Sequence, residues 1–157
     1  IPEPLIKKEF SRIMSLKDGL KKMSKSEISD LSRINLTDDK DTIVKKIKKA
    51  KTDALPIPST IEELEKRPET KNLVGIFSSL AGLTIENSLN EFSGKNFSHF
   101  KENLSQLLIE KIIPISFEIK KLLNDHNYLD SILIDGYKKA DKIASKKVEK
   151  IHEIIGF

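Results

Sequence analysis

Five consecutive residues, Lys22-Met23-Ser24-Lys25-Ser26, concentrate the chemistry of this chain. Two ammonium groups stand three residues apart, with hydroxyls between and beside them, and only Met23 is suited to a core. A short cationic loop of this kind suits a substrate whose negative charge grows during reaction, and a polyphosphate is the obvious one. Lysine meets phosphate as a mobile point charge, while serine hydroxyls and backbone N–H groups add donors. The plainer alternative is a solvated, lysine-rich surface turn.

No second constellation competes with it. His99, His126 and His152 lie far apart, and none has a partner at metal-ligand spacing, so no metal site is expected. The stretch Asn124-Asp125-His126-Asn127 has the composition of a turn. Neither a Ser-His-Asp pattern nor a glycine-rich phosphate loop is present. The absence of Cys excludes disulfides and thiolate metal sites and fits a reducing cytoplasm. No run of 18 or more apolar residues occurs, so no membrane span is expected. The opening Ile1-Pro2-Glu3-Pro4 is neither an initiator nor a signal peptide, which suggests a piece of something longer. A net charge of +4 allows a polyanionic partner. Its weight is small, because Arg stands only at positions 12, 33 and 67, and the abundance of Lys, Ile and Asn resembles a coding bias.

The elements that must position the loop can be read in order. Pro2 and Pro4 block a helix start, so the first nine residues are expected to be extended. Phe10 to Leu16 is the one good strand candidate, and its pairing partners must lie elsewhere. Everything after the loop reads helical. Thr37 or Asp38 caps a helix to about Lys49, with Ile43, Ile47 and Ala50 as its apolar stripe. Lys45, Lys46, Lys48 and Lys49 fall off that stripe, as a solvated face or near nucleic acid. Ser59 or Thr60 caps a short helix with Glu62 and Glu63 as capping-box partners. Pro68 opens the next helix and Gly82 closes it, with Leu73, Ile76, Phe77 and Leu80 facing the core. Thr84 caps another short helix, which Gly94 ends.

Two long helices follow. The first spans about Phe97 to Leu123 and is expected to kink at Pro114. The second spans about Tyr128 to Ile155, with Gly156 as the stop. On it Leu133, Ala140, Ala144, Ile151 and Ile155 share a face, while Lys138, Lys142 and Lys146 lie on the opposite side. Complementary apolar faces predict that the helices from Thr37 to Ile155 form one bundle.

The loop and its flanks carry a family resemblance. KMSKS at residues 22–26 is the signature loop of class I aminoacyl-tRNA synthetases. Around it stand Arg12-Ile13-Met14-Ser15-Leu16, Ser32-Arg33-Ile34-Asn35-Leu36-Thr37-Asp38, Lys48-Lys49-Ala50-Lys51-Thr52-Asp53, Arg67-Pro68, Asn72-Leu73 and Pro114-Ile115. In this order they resemble the C-terminal half of a bacterial-type tryptophanyl-tRNA synthetase, over essentially the whole chain. One departure stands out: the family usually follows the loop with Asp-Pro, and here Glu27-Ile28 stand there. Ile lacks the fixed φ of Pro, so the loop exit is expected to be more mobile.

The resemblance implies a mainly α chain. A helical tRNA (anticodon)-binding domain, 37–157, is preceded by the last strand and KMSKS loop of a Rossmann-type α/β catalytic domain, 1–36. It implies activation of tryptophan with ATP and Mg²⁺ to the adenylate, then transfer to tRNA(Trp), by a full-length enzyme that is a cytoplasmic homodimer. Lys25 and Lys22 are the implied catalytic residues. Ile13, Lys22, Met23, Ser24, Lys25 and Ser26 are the implied ATP-binding set, with Ile13 and Met23 bordering the nucleoside. For Ile13 a buried strand position is the alternative. Lys138, Lys142 and Lys146 are implied tRNA contacts, against a solvated face. Gly19 is expected to help the loop move. The 157-residue chain alone is expected to be inactive. Rival readings are a tyrosyl-tRNA synthetase fragment and a non-catalytic helical nucleic-acid-binding module.

Overall fold

The computed structural model describes Glu3, Pro4 and residues 11–156. It is mainly helical, and its first element is a small antiparallel hairpin. Strand β1, Met14–Ser15, pairs with strand β2, Asp18–Lys22, through an irregular register that sets Met14 opposite Lys22. A single 3-10 turn, Asp30–Ser32, leads to helices α1 (Lys40–Lys49), α2 (Ile61–Glu65), α3 (Pro68–Ala81), α4 (Ile85–Phe92), α5 (Phe97–Asn124) and α6 (His126–Ile155).

The expected strand Phe10 to Leu16 is thus corrected. Phe10 lies outside the described residues, residues 11–13 form no strand, and Leu16 is already in the turn. The partner strand comes from the residues that lead into KMSKS. The side chain of Asn72 on α3 completes the hairpin's hydrogen bonding. Its Oδ1 accepts from the Met14 N–H at 2.9 Å, and its Nδ2 donates to the Met14 carbonyl at 2.8 Å. A side-chain amide matches a strand residue's donor and acceptor together. Gly19 is buried in β2, and a Cβ there would lie 2.5 Å from the Glu69 nitrogen and the Pro68 carbonyl carbon. Its missing side chain lets β2 lie on the first turn of α3.

The helix signals follow local chemistry. Thr60 accepts from the Glu63 N–H and Thr84 from the Asn87 N–H, each capping its helix, and Glu63 returns a bond to the Ser59 N–H. Pro68 stands in the first turn of α3, and Gly82, at φ 70°, closes it in the left-handed region. The cap of α1 is Asp39, which accepts from Thr42 N–H, rather than Thr37 or Asp38. His126 begins α6, and only Asp125, its cap, interrupts the two long helices. α5 continues through Pro114 without a break.

The chain divides into two compact units, the first ending at Ser116 and the second beginning at Phe117, a boundary inside α5. The core belongs to the first: Leu16, Ile43, Ile47, Ile57, Leu64, Leu73, Phe77, Leu89, Phe92, Phe100, Leu104 and Leu108 are all buried. Phe92 meets Phe77 and Phe100 edge-on, with ring centroids 4.9 and 5.0 Å apart. In the second unit no residue of α6 is buried among those described, and Leu133, Ala140, Ala144, Ile151 and Ile155 are exposed.

Candidate active-site loop

The hairpin places the start of the cationic loop. Lys22 ends β2, and the Met23 N–H donates to the Ile13 carbonyl at 3.1 Å, so Ile13, Lys22 and Met23 are neighbours by backbone pairing. Ile13 is 45% exposed in this chain. Met23 is half-buried and packs against the core. The tip then closes on itself. Ser26 donates its N–H to Ser24 Oγ at 3.3 Å, and the two hydroxyls are 3.0 Å apart. Lys22 and Lys25 are exposed, and among the described residues neither has an acidic partner. The neighbouring Lys21, by contrast, pairs with Asp18 at 3.6 Å.

The loop exit rests on a charge cluster, built around buried Lys46 and Asp38 with Asp30 exposed at its edge, that periodicity alone missed. Lys46, expected on the solvated face of α1, has only 1% of its side chain exposed. Its ammonium lies 2.7 Å from Asp30 Oδ2 and 2.7 Å from Asp38 Oδ2. Asn35 donates its side-chain N–H to both carboxylates and its backbone N–H to Asp38. Arg33 adds a second cation, 3.1 Å from Asp30 Oδ1, and donates Nη1–H to the Glu27 carbonyl at 2.8 Å and Nε–H to Asn35 Oδ1 at 3.2 Å. Two cations and two carboxylates therefore balance, as a buried charge requires. The Lys46 hydrogen bond, with help from Asn35, holds the Asp30 carboxyl below its usual range. The sequence signal for this cluster is the alternation of acid and amide at Asp30, Asn35 and Asp38, upstream of a helix whose stripe leaves Lys46 beside the core.

Further pairs tie the same unit together. Lys51 bonds Glu69 at 2.7 Å. That bond first, and the N–H groups of Glu69 and Gly19 with it, keeps the Glu69 carboxyl low, while the Lys51 ammonium is held high. Burial pushes the Asp53 carboxyl up, but bonds from Arg67, Leu55 N–H and Thr70 carry it below the ordinary value. Lys101 caps the end of α1 through the Ala50 carbonyl at 2.7 Å, and burial pushes its ammonium down. Lys138, Lys142 and Lys146 are all exposed on α6. Among the described residues no group of three or more His, Asp or Glu side chains could hold a metal ion. Nor is any of their helices long and apolar enough to cross a membrane.

Comparison with known proteins gives concordant matches. The family described as tRNA synthetases class I (W and Y) matches residues 1–113. A tryptophan–tRNA ligase of Mesorhizobium japonicum is 51% identical over 156 residues, covering 99% of this chain and 44% of that protein. One from Rickettsia felis is 48% identical over 157 residues, covering 100% of this chain and 47% of its own length. This chain therefore spans less than half the length of these curated relatives. Among solved structures, tryptophanyl-tRNA synthetase from Campylobacter jejuni, complexed with ADP and tryptophan, superposes with a TM-score of 0.72 at 28% identity, over 99% of this chain and 47% of that one. The Mycoplasma pneumoniae enzyme does so with a TM-score of 0.65 at 26% identity, over 96% of this chain and 47% of the other.

Proposed function

Because this chain belongs to the class I tRNA synthetases of tryptophan and tyrosine, we propose that it is the KMSKS-bearing portion of a tryptophan–tRNA ligase. The whole enzyme would activate tryptophan with ATP to the adenylate and pyrophosphate, then pass the acyl group to tRNA(Trp). Tryptophan rather than tyrosine is favoured by relatives at 51% and 48% identity. Residues 1–36 would close the catalytic domain, and residues 37–157 would serve as the helical tRNA-binding part of a cytoplasmic homodimer.

One observation supports the loop's role above the rest. Lys22 and Lys25 reach solvent, and among the described residues no carboxylate neutralises them, while the backbone before and after them is tied down. That is what a site needs if it is to meet charge that appears only in the transition state. Lys25 would carry most of the stabilisation of the departing pyrophosphate, with Lys22 assisting. The Ser24–Ser26 contact would hold the tip and present donors to phosphate oxygens, and Ile13 and Met23 would border the nucleoside. No covalent enzyme intermediate is required, because positioning and charge stabilisation suffice. Among the described residues no group of three or more acidic or His side chains could hold Mg²⁺ by itself. The ion would travel on the ATP phosphates, as it commonly does, and no step here depends on its placement. On α6, Lys138, Lys142 and Lys146 would contact the tRNA.

Tryptophan-dependent exchange of labelled pyrophosphate into ATP by the full-length protein tests this reading. Exchange driven by tyrosine would favour the tyrosyl enzyme, and no exchange with either would favour the binding module. The 157-residue chain alone should show none. Orientation by the rest of the site is worth roughly 7–11 kcal/mol, and charge without it forfeits most of the rate.

A further inference from the structure

We infer that Arg33, braced by Asn35, Asp30 and Lys46, is a positioning residue for the loop. Its bond to the Glu27 carbonyl fixes the exit of KMSKS so that Lys25 is held where it acts. The inference rests on the function proposed above and adds a residue that does not itself touch substrate.

The two ends of the loop are held by different means. At the entry, β-pairing and the Met23–Ile13 bond continue the hairpin, which Asn72 and the Gly19 approach fix onto α3. Among the described residues the exit carries no strand pairing. Glu27 is exposed, and Ile28 is 100% exposed, so no packing orders it. Its φ is also free, since it carries no ring. Beyond the weak turn bond from Glu27 N–H to the Ser24 carbonyl at 3.5 Å, Glu27 is held, among the described residues, by the 2.8 Å bond that Arg33 donates to its carbonyl from six residues on. The next restraint is at Ser29, whose carbonyl accepts from Ser32 Oγ at 2.7 Å.

That restraint is only as good as the aim of the guanidinium. Three acceptors define it: the Glu27 carbonyl, Asn35 Oδ1 and Asp30 Oδ1. A planar fork can serve three acceptors in fixed directions, and a lysine ammonium cannot reproduce that geometry. Asp30 and Asn35 are themselves aimed from below. Buried Lys46 bonds Asp30 Oδ2, Asn35 bonds Asp30 Oδ1, and both Lys46 and Asn35 bond Asp38. The chain Lys46–Asp30–Arg33–Glu27 therefore runs from the face of α1 to the main chain two residues beyond Lys25.

The test uses the full-length enzyme and a double-mutant cycle of Arg33→Lys with Lys25→Ala, read by tryptophan-dependent pyrophosphate exchange. Arg33→Lys keeps the charge and loses the fork. It should lower kcat between about ten- and a hundredfold, the scale on which a small misplacement costs rate, while the KM for tryptophan and the thermal transition stay near wild type. In the Lys25→Ala background the same change should cost less than about twofold, because the group being aimed is gone. Asn35→Ala, which removes the brace on Nε, is run beside it with the same expected kinetic pattern and a lowered thermal transition, because its amide also bonds Asp30 and buried Asp38, so that a folding failure of one leaves the other to decide. Additive effects, or a wild-type kcat in both variants, would overturn the inference while leaving the proposed function intact. A wild-type enzyme without tryptophan-dependent exchange would overturn both.

Discussion

Helices α1 and α6 are both lysine-rich and amphipathic, yet they treat their cations oppositely. On α1, Lys46 is drawn beneath the surface between Asp30 and Asp38. On α6 every lysine stays exposed, and the pair of Lys139 with Asp135 at 2.7 Å is a surface pair a turn apart. The difference is not in the helices' own sequences. It lies in whether another segment delivers carboxylates to the lysine, as the stretch before α1 does. A lysine off the apolar stripe is a candidate solvated residue only until its neighbours in space are known.

That contrast can be broken most sharply at Lys46. Lys46→Met should destabilise the protein by about 3–5 kcal/mol, since Asp38, buried, loses its cation, whereas Lys142→Gln should fall within about 0.5 kcal/mol of wild type. Urea denaturation of both variants measures the difference, and equal effects would erase it. A second contrast uses glycine. Gly19→Ala forces a Cβ to 2.5 Å from the α3 backbone and should cost about 1–3 kcal/mol. Gly136→Ala on α6 meets nothing within 4 Å and should stabilise by about 0.4–1 kcal/mol. Thermal transitions of opposite sign are the expected outcome.

Asn72→Ala should cost about 1–3 kcal/mol by leaving the Met14 N–H and carbonyl unpartnered, with hydrogen exchange at Met14 accelerated before any effect appears in α6. Acid should act on the first unit through the same pairs. Asp53 and Glu69 have carboxyls held low in the folded state. Their contribution is therefore fully present above the unfolded values, near pH 4, and is lost as pH falls through the lower folded ones. Stability should decline below about pH 4, and Lys51→Met should flatten that decline by removing the partner of Glu69. The smallest effect on stability belongs to Lys138, Lys142 and Lys146. Replacing all three with Gln should leave folding and adenylate synthesis unchanged while weakening tRNA affinity and flattening its salt dependence. An unchanged salt slope would make this face a solvated one.

What could be read from the sequence was what local chemistry decides. Caps at Thr60 and Thr84, the opening at Pro68 and the stop at Gly82 each depend on residues within one turn, and the structure reproduces them. The cap of α1 slipped to Asp39 because three capping residues stand in a row and Asp38 is committed to Lys46. The strand was misjudged because alternation over Phe10–Leu16 does not reveal a partner. Pairing with the residues leading into KMSKS depends on Asn72 and on the bare backbone at Gly19, both contacts with α3. For the loop, its chemistry was legible and its support was not: KMSKS announces itself by composition, whereas the Arg33–Glu27 bond and the cluster below it join residues with no common period.

Lys25 is where the chemistry of the loop is tested most directly. In the full-length enzyme, Lys25→Ala should slow tryptophan-dependent pyrophosphate exchange on the order of a hundredfold or more, the scale of losing one charge-stabilising donor. The KM for tryptophan should hardly move, because this ammonium meets charge that develops only in the transition state. A variant that keeps wild-type turnover and shows only a raised KM would contradict the assignment of this loop to the departing pyrophosphate.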